Sequence, residues 1–413
     1  MRSPRCGTPL RHGIAMRQSA LSRIPASVWT LGLVSMLMDV SSELIHSLLP
    51  LFMVTVLGAS TFAVGLIEGV AEATALITKV FSGYVSDRFR KRKLLVVLGY
   101  GLAAVTKPLF PLASSLGWIV TARFVDRIGK GIRGAPRDAL IADITPKESR
   151  GAAYGLRQAL DTVGAFAGPL LAIGAMLWLA DNFRAVFWLA TIPAFGAVAL
   201  LIFGVREPEQ VADGKSARTP IAMADIRRLP TRYWWIVAIA AVMTLARFSE
   251  AFLVLRAQNV GMPLAWIPLV MVLMSIVYAL VSYPAGVLAD KGRQGALLSG
   301  GLVALIVADV VLAYAGSVDA VLAGTAVWGI HMGLTQGVLA ALVAQTAPAD
   351  LRGTAFGLFN LVSGFALLVA SALAGWLWSV YGPAPTFWAG AIFTAIALLG
   401  LWLRPRQGSD FQS

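Results

Sequence analysis

Apolar residues along this chain come in long runs, and polar residues gather in short turns between them. Runs fall at roughly 29–57, 62–86, 94–114, 117–142, 151–180 and 184–205. A polar stretch follows from Arg206 to Arg232. Six more runs fall at roughly 233–260, 264–289, 295–316, 319–345, 353–381 and 384–403. Each is long enough to cross a bilayer, which takes about 20 apolar residues as a helix. Backbone groups in hydrocarbon find no water, so spans of this kind must bond internally as helices. The pattern predicts an all-α membrane protein with twelve transmembrane helices in two six-helix halves, 29–205 and 233–404. They are joined by a central loop, 206–232, and flanked by tails at 1–28 and 405–413.

Composition supports this reading. Of 413 residues, 58% are hydrophobic and 13% charged, where a soluble domain carries about 25% charged residues. Mean hydropathy is +0.75. The net charge of +13 does not form a patch on a soluble domain, which argues against nucleic acid as a partner. The basic residues lie in the head, in the short turns, in the central loop and in the tail. Lys and Arg concentrate on the cytoplasmic side of membrane proteins. The turns after even-numbered spans carry Arg88 to Lys93, Lys147 with Arg150, Lys291 with Arg293, and Arg352. The turns after odd-numbered spans, such as Gly58-Ala59-Ser60-Thr61 and Gly261-Met262-Pro263, carry almost none. Both termini and the central loop are therefore expected in the cytoplasm, with the chain in the inner membrane. Cys6 is the only cysteine, so no intrachain disulfide and no CxxC site is possible. Residues 1–28 lack the apolar core of a cleaved signal peptide.

Two turn motifs recur half a chain apart. Gly83-Tyr84-Val85-Ser86-Asp87-Arg88 returns, weakened, as Gly286-Val287-Leu288-Ala289-Asp290-Lys291, 203 residues on. Pro146 to Leu156, with Arg150-Gly151 and Tyr154-Gly155-Leu156, returns 202 residues on as Pro348 to Leu358, with Arg352-Gly353 and Phe356-Gly357-Leu358. A looser echo is Ser42-Glu43 and Ser249-Glu250. Internal repeats of this kind point to a membrane protein built from two similar halves.

With these turns, the chain resembles the major facilitator superfamily of transporters over nearly its whole length. The family's turn between spans two and three reads roughly G-x-x-x-D-[RK]-x-G-x-[RK]-[RK]. Gly83, Asp87, Arg88, Arg92 and Lys93 fill it, and Arg90 stands where the family has Gly. The resemblance implies that this turn, with Gly286 and Asp290 in its second copy, latches one state of the transport cycle. In span five, Gly155, Gly164, Gly168 and Pro169 match the spacing of the family's proton-driven exporters, while Ala172 and Ile173 replace the final glycines. That match implies a bend at Pro169 and outward transport. Glycines four apart also let neighbouring membrane helices approach closely. Span four matches a further family signature at Arg127 and Gly131, with Lys130 for Gln and Arg133 for Gly.

Charges inside a membrane are costly enough that each needs a partner or a task. Span one carries Asp39, Glu43 and His46, four and then three apart, on one helix face. Span four carries Arg123, Asp126, Arg127, Lys130 and Arg137. Span seven carries Arg247, Glu250 and Arg256, and span ten carries His331. The resemblance implies that spans one, four, seven and ten line a central cavity. Asp39, Glu43, His46, Arg123, Asp126, Arg127, Arg247, Glu250 and His331 are therefore the candidate residues for solute and proton. Either Glu43 or Asp39 is expected to carry the coupling proton, with the acidic face of span one set against the basic face of span four. Glu68 with Glu72, Lys79, and Arg157 with Asp161 are expected to be static pairings. His46, Asp39 and Glu43, with His331-Met332 opposite, form an alternative N/O set for a divalent ion.

No Walker A sequence, Ser/His/Asp arrangement or HExxH is present, so the expectation is a transporter with no catalytic residues and no cofactor. It is expected to act as a monomer in the lipid bilayer, on a small-molecule substrate and protons, by proton-coupled export of an organic solute. A metal ion, a metal chelate or an organic anion is the alternative cargo. A non-transporting receptor is the alternative class.

Overall fold

The computed structural model describes residues 24–89, 91–146, 149–206, 223–348 and 351–403, the side chains of 87–89 and 223–224 excepted. Residues 1–23 of the expected N-terminal tail, the C-terminal tail, most of the central loop, residue Arg90 and the side chains of Asp87 and Arg88 lie outside the described residues, and span one begins at Ala26, inside the expected tail.

The described residues are all helix and turn, with no strand among them. Twelve spans follow in order. Span one is Ala26–His46 and Leu49–Thr55; span two is Thr61–Phe89; span three is Arg92–Thr106 and Leu109–Leu112; span four is Leu116–Ile144. Span five is Arg150–Trp178 and span six is Phe183–Leu189 with Thr191–Gly204. Span seven is Thr231–Ala246 and Ala251–Asn259, span eight follows from Leu264 to Asp290, and span nine is Gln294–Tyr314. Spans ten, eleven and twelve are Val318–Thr346, Arg352–Tyr381 and Pro383–Trp402. Eleven of these are apolar enough to cross a membrane on composition alone. The exception is span four, which is as long as span five but carries a charge on nearly every turn.

The repeat is visible in the backbone. Gly58 and Gly261, 203 residues apart, both adopt positive φ, at +67° and +87°, a conformation that glycine enters without strain. Spans one and seven are each broken, and the outer pieces beyond the breaks pack on one another. Span one breaks at Ser47-Leu48 and span seven at Arg247–Glu250. Glu43 thus lies inside a helix while Glu250 lies in a break, so the Ser-Glu echo does not mark equivalent places.

The halves meet through spans two and eleven and through the related pair, spans five and eight. Glycine sets the approach of the first pair. A Cβ on Gly65 would sit 2.2 Å from the Ser371 carbonyl oxygen, and one on Gly375 would sit 2.6 Å from that of Thr61. Small residues of this kind drive close helix crossings in membranes. At this end, which holds Gly58 and Gly261, one apolar core crosses both halves, with Phe52, Phe183 and Phe187 from the first and Phe248, Phe252 and Trp328 from the second. At the opposite end, which holds the basic turns, each half has its own core. Val28, Tyr100, Leu140 and Ala153 belong to one, and Tyr233, Leu298, Leu342 and Ala355 to the other. The halves are joined at the first end and parted at the second.

Candidate functional site

Span four reads Arg123-Phe124-Val125-Asp126-Arg127, which sets its two arginines one turn apart on a face toward span two. Span two offers Glu68 and Glu72 with the same spacing. Arg123 bonds Glu68, and Arg127 lies 3.2 Å from Glu72. His46 of span one joins this pair, with Nε2 3.3 Å from Glu68 and Nδ1 3.5 Å from Glu43. Glu43, His46, Glu68 and Arg123 thus form one connected chain, from a partly exposed carboxylate to a fully buried one.

A second buried cluster lies behind it. The Lys107 ammonium donates to Asp126 and to the Ser42 hydroxyl, each at 3.0 Å, and Asp126 also lies 3.9 Å from Arg127. Toward the basic-turn end, Arg133 lies 3.9 Å from Asp39 and stacks over the Tyr100 ring. Arg137 donates to Ser35 and to the Tyr100 hydroxyl. Arg157 lies 3.3 Å from Asp161, its neighbour one turn on, and 3.1 Å from Asp138.

Span five seats this assembly. A Cβ on Gly164 would lie 2.9 Å from the Asp39 Cβ and 2.8 Å from the Met36 carbonyl. One on Gly168 would lie 2.8 Å from the Glu43 Cβ and from the Val40 carbonyl. The spacing seen in the sequence is thus the socket for the acidic face of span one. Nothing crowds Gly155, and the helix continues unbroken through Pro169.

The second half is built differently. A cavity of about 240 Å³ is lined by Leu76 of span two, Thr244 and Arg247 of span seven, His331 and Gln336 of span ten, and Asn360 of span eleven, among others. Arg247 forms no ion pair among the described residues. His331 lines the same cavity with its Nδ1 2.8 Å from the Gly301 carbonyl. Glu250 is the last residue of the break in span seven and caps the outer piece that starts at Ala251.

Several expectations change. The basic face of span four meets the carboxylates of span two at Glu68 and Glu72, and reaches span one only further along, through Arg133 to Asp39 and Arg137 to the Ser35 hydroxyl. This follows because spans two and four pack along their length while spans one and four touch little. Glu68, expected to be a static partner, is the centre of the buried network. Lys107 was not among the candidates; its signal was a lone cation at the end of an apolar run, just before Pro108. Among the described residues no three metal-ligating side chains are gathered around one point, since His46 is held between two glutamates and Asp39 is drawn to Arg133. In the basic turn, Gly83 lies 3.5 Å from Ala135 of span four by its would-be Cβ. Arg92 bonds Asp143 and the Ala139 carbonyl, and Lys93 donates to the Ile202 carbonyl at 3.0 Å. Gly286 and Asp290 end span eight, and nothing crowds Gly286.

A sequence profile of the Major Facilitator Superfamily matches residues 31–268 and 249–411. The chain belongs to that superfamily. It is 34% identical over 377 residues to an uncharacterized MFS-type transporter of Methanocaldococcus jannaschii, covering 90% of this chain and 93% of that one. It is 26% identical over 336 residues to the cis,cis-muconate transport protein of Acinetobacter baylyi, covering 77% and 79%. Its fold is similar to that of a bacterial homolog of the human lysosomal transporter Spinster in an inward-facing, unoccupied conformation. The TM-score is 0.75 at 15% identity, over 94% of this chain and 97% of that one. The superfamily chain described here is a multi-pass membrane transporter and not an enzyme.

Proposed function

We propose that this chain is a proton-coupled carrier of a small organic anion, worked by alternate opening of its two ends. Arg247 is the observation that carries the reading. It lines the cavity as its one strongly basic side chain, and no carboxylate of the described residues lies within ion-pair distance of it, Glu250 acting on it only from further off. An unpaired cation in a membrane interior is costly, and an anionic solute removes that cost on binding. Gln336, Asn360 and Thr335 supply further hydrogen-bonding groups, and Leu76, Leu339, Phe359 and Leu367 supply an apolar wall. The relative named for cis,cis-muconate transport gives the reading a precedent within the family.

Proton coupling is assigned to the first half. Glu43 is the partly exposed end of the chain running through His46 to Glu68. A proton taken up at Glu43 passes to His46 and weakens the hold of Glu68 on Arg123. Because the pairs in this network tie spans one, two and four together, loading a proton changes their balance. The span-five pattern, seated on Asp39 and Glu43, favours outward transport. The basic turns at the parted end support a cytoplasmic side for it, since Lys and Arg concentrate there in membrane proteins.

Purified protein in liposomes under an imposed pH gradient tests the reading, with a panel of organic anions, neutral solutes and divalent metals. Proton flux triggered by an organic anion, lost in E43Q and insensitive to that anion in R247Q, is the expected result. Flux triggered by metals or neutral solutes alone, or normal anion response in R247Q, overturns it.

A further inference from the structure

The two halves treat the same interior position in opposite ways. The 202-residue offset that relates Arg150 to Arg352 carries Lys107 to Asp309, Arg123 to Thr325 and Asp126 to Trp328. The packing confirms the register. Gly99 of span three meets Gly129 of span four closely, and their counterparts, Gly301 and His331, are joined by a 2.8 Å contact. In the first half the position holds an internal ion pair, Lys107 with Asp126. In the second it holds Asp309, 0% exposed, with neither carboxylate oxygen bonded to any described group. The Thr325 hydroxyl and the Trp328 indole nitrogen are likewise buried and unbonded.

Asp309 faces the break in span seven. The point where a Cβ on Gly390 of span twelve would sit is 2.6 Å from Asp309 Oδ2 and 3.1 Å from the Ala246 carbonyl oxygen. The helix ends at Ala246, and no amide from the break is bonded to that carbonyl. Two buried hydrogen-bond acceptors therefore border the one point beside Gly390. Span twelve brings no titratable group to it. From span seven, Arg247 lines the cavity and Arg256 is bonded to the Leu312 and Ala315 carbonyls. From span ten, His331 is held on Gly301 two turns away. None of these supplies the missing positive charge.

We infer that Asp309 is a proton-binding site in the second half, its protonated oxygen donating to the Ala246 carbonyl across the space left by Gly390. The proton stands where the Lys107 ammonium stands in the first half. A buried carboxylate without a partner is far more costly charged than neutral. Proton occupancy then holds the shape of the break, and the break carries Arg247 into the cavity. Only that last link to transport rests on the proton-coupled reading above.

Infrared spectroscopy of the purified chain in lipid tests the site without any solute, so it fails separately from the transport reading. The wild type is expected to show the carbonyl band of a buried protonated carboxylic acid that persists to mildly alkaline pH. Asp309→Asn is expected to remove it. The double change Asp309→Lys with Trp328→Asp rebuilds the first-half pair and is expected to fold and to lack the band. Retention of the band in either variant overturns the assignment. So does a wild-type carboxylate band that shifts when sodium is added, which would make the occupant an alkali cation.

Discussion

The Glu68 carboxylate and the Arg123 guanidinium are bonded to each other inside the membrane, at side chains 0% and 4% exposed. His46 adds a second contact to the same carboxylate. Removing one member of a buried pair strands the other, at a cost of about 3–5 kcal/mol. Glu68→Gln is therefore expected to lower the thermal unfolding temperature sharply, and Glu68→Gln with Arg123→Gln to recover part of the loss. Unfolding followed by tryptophan fluorescence in lipid nanodiscs checks this. A wild-type transition in the single variant would mean that the pair does not hold the half together.

Gly168 sits against backbone, with the Val40 carbonyl and the Leu44 amide nitrogen 2.8 and 2.9 Å from its would-be Cβ. Backbone cannot rotate aside, so Gly168→Val forces spans one and five apart. Overpacking of this kind costs about 1–3 kcal/mol, and the shift displaces Glu43. Solute-triggered proton flux is expected to fall further than stability does. Gly174→Ala on the same helix meets nothing within 4 Å and serves as the neutral control.

The crossing of spans two and eleven at Gly65 holds one end shut. Gly65→Val drives a side chain into the Ser371 carbonyl and biases the protein toward opening there. In a Cys6→Ser background, a cysteine placed at Glu250 is expected to react with a membrane-impermeant thiol reagent about tenfold faster once Gly65 is changed, as a bias of about 1.4 kcal/mol implies. Equal reactivity with and without the change would show that this crossing does not control access.

Two arginines of span seven should separate cleanly. Arg256 bonds Asn259 and the last carbonyls of span nine, Leu312 at 2.9 Å and Ala315 at 2.6 Å. Each charge-assisted bond is worth about 1.5–3 kcal/mol, so Arg256→Met is expected to lower stability with little effect on the flux of folded protein. Arg247→Gln is expected to do the reverse. Thermal unfolding and liposome flux on the same preparations read both. A shared phenotype would remove the distinction drawn between a cap and a binding residue.

The fold was legible because its determinants are local and repetitive. Twelve apolar runs, and basic residues in alternate turns, follow from the physics of a slab of hydrocarbon. Partner choice was less so. That Arg123 and Arg127 lie at helical spacing can be read from sequence, but their face depends on which span lies beside it, and span two displaced span one. Gly164 and Gly168 announced a close approach, not that Asp39 and Glu43 would be its neighbours. Lys107 passed unnoticed because one cation beside Pro108 looks like the edge of a turn. Asp309 lies within an apolar run, and its lack of a partner is a three-dimensional fact that no spacing encodes.

Span four bears on how the chain is made. Arg123, Asp126, Arg127, Lys130, Arg133, Arg137, Asp138 and Asp143 all lie on it, and a charge near the centre of an inserting helix costs about 2.5–3.5 kcal/mol. Alone, this helix would be rejected by the insertion machinery. The carboxylates that receive it, Asp39, Glu68 and Glu72, leave the ribosome earlier in the same chain. The first half must therefore be assembled as a group, with the first three helices acting as an intramolecular chaperone for the fourth. The second half, whose spans are all apolar enough to enter singly, can be stitched into the bilayer one helix at a time.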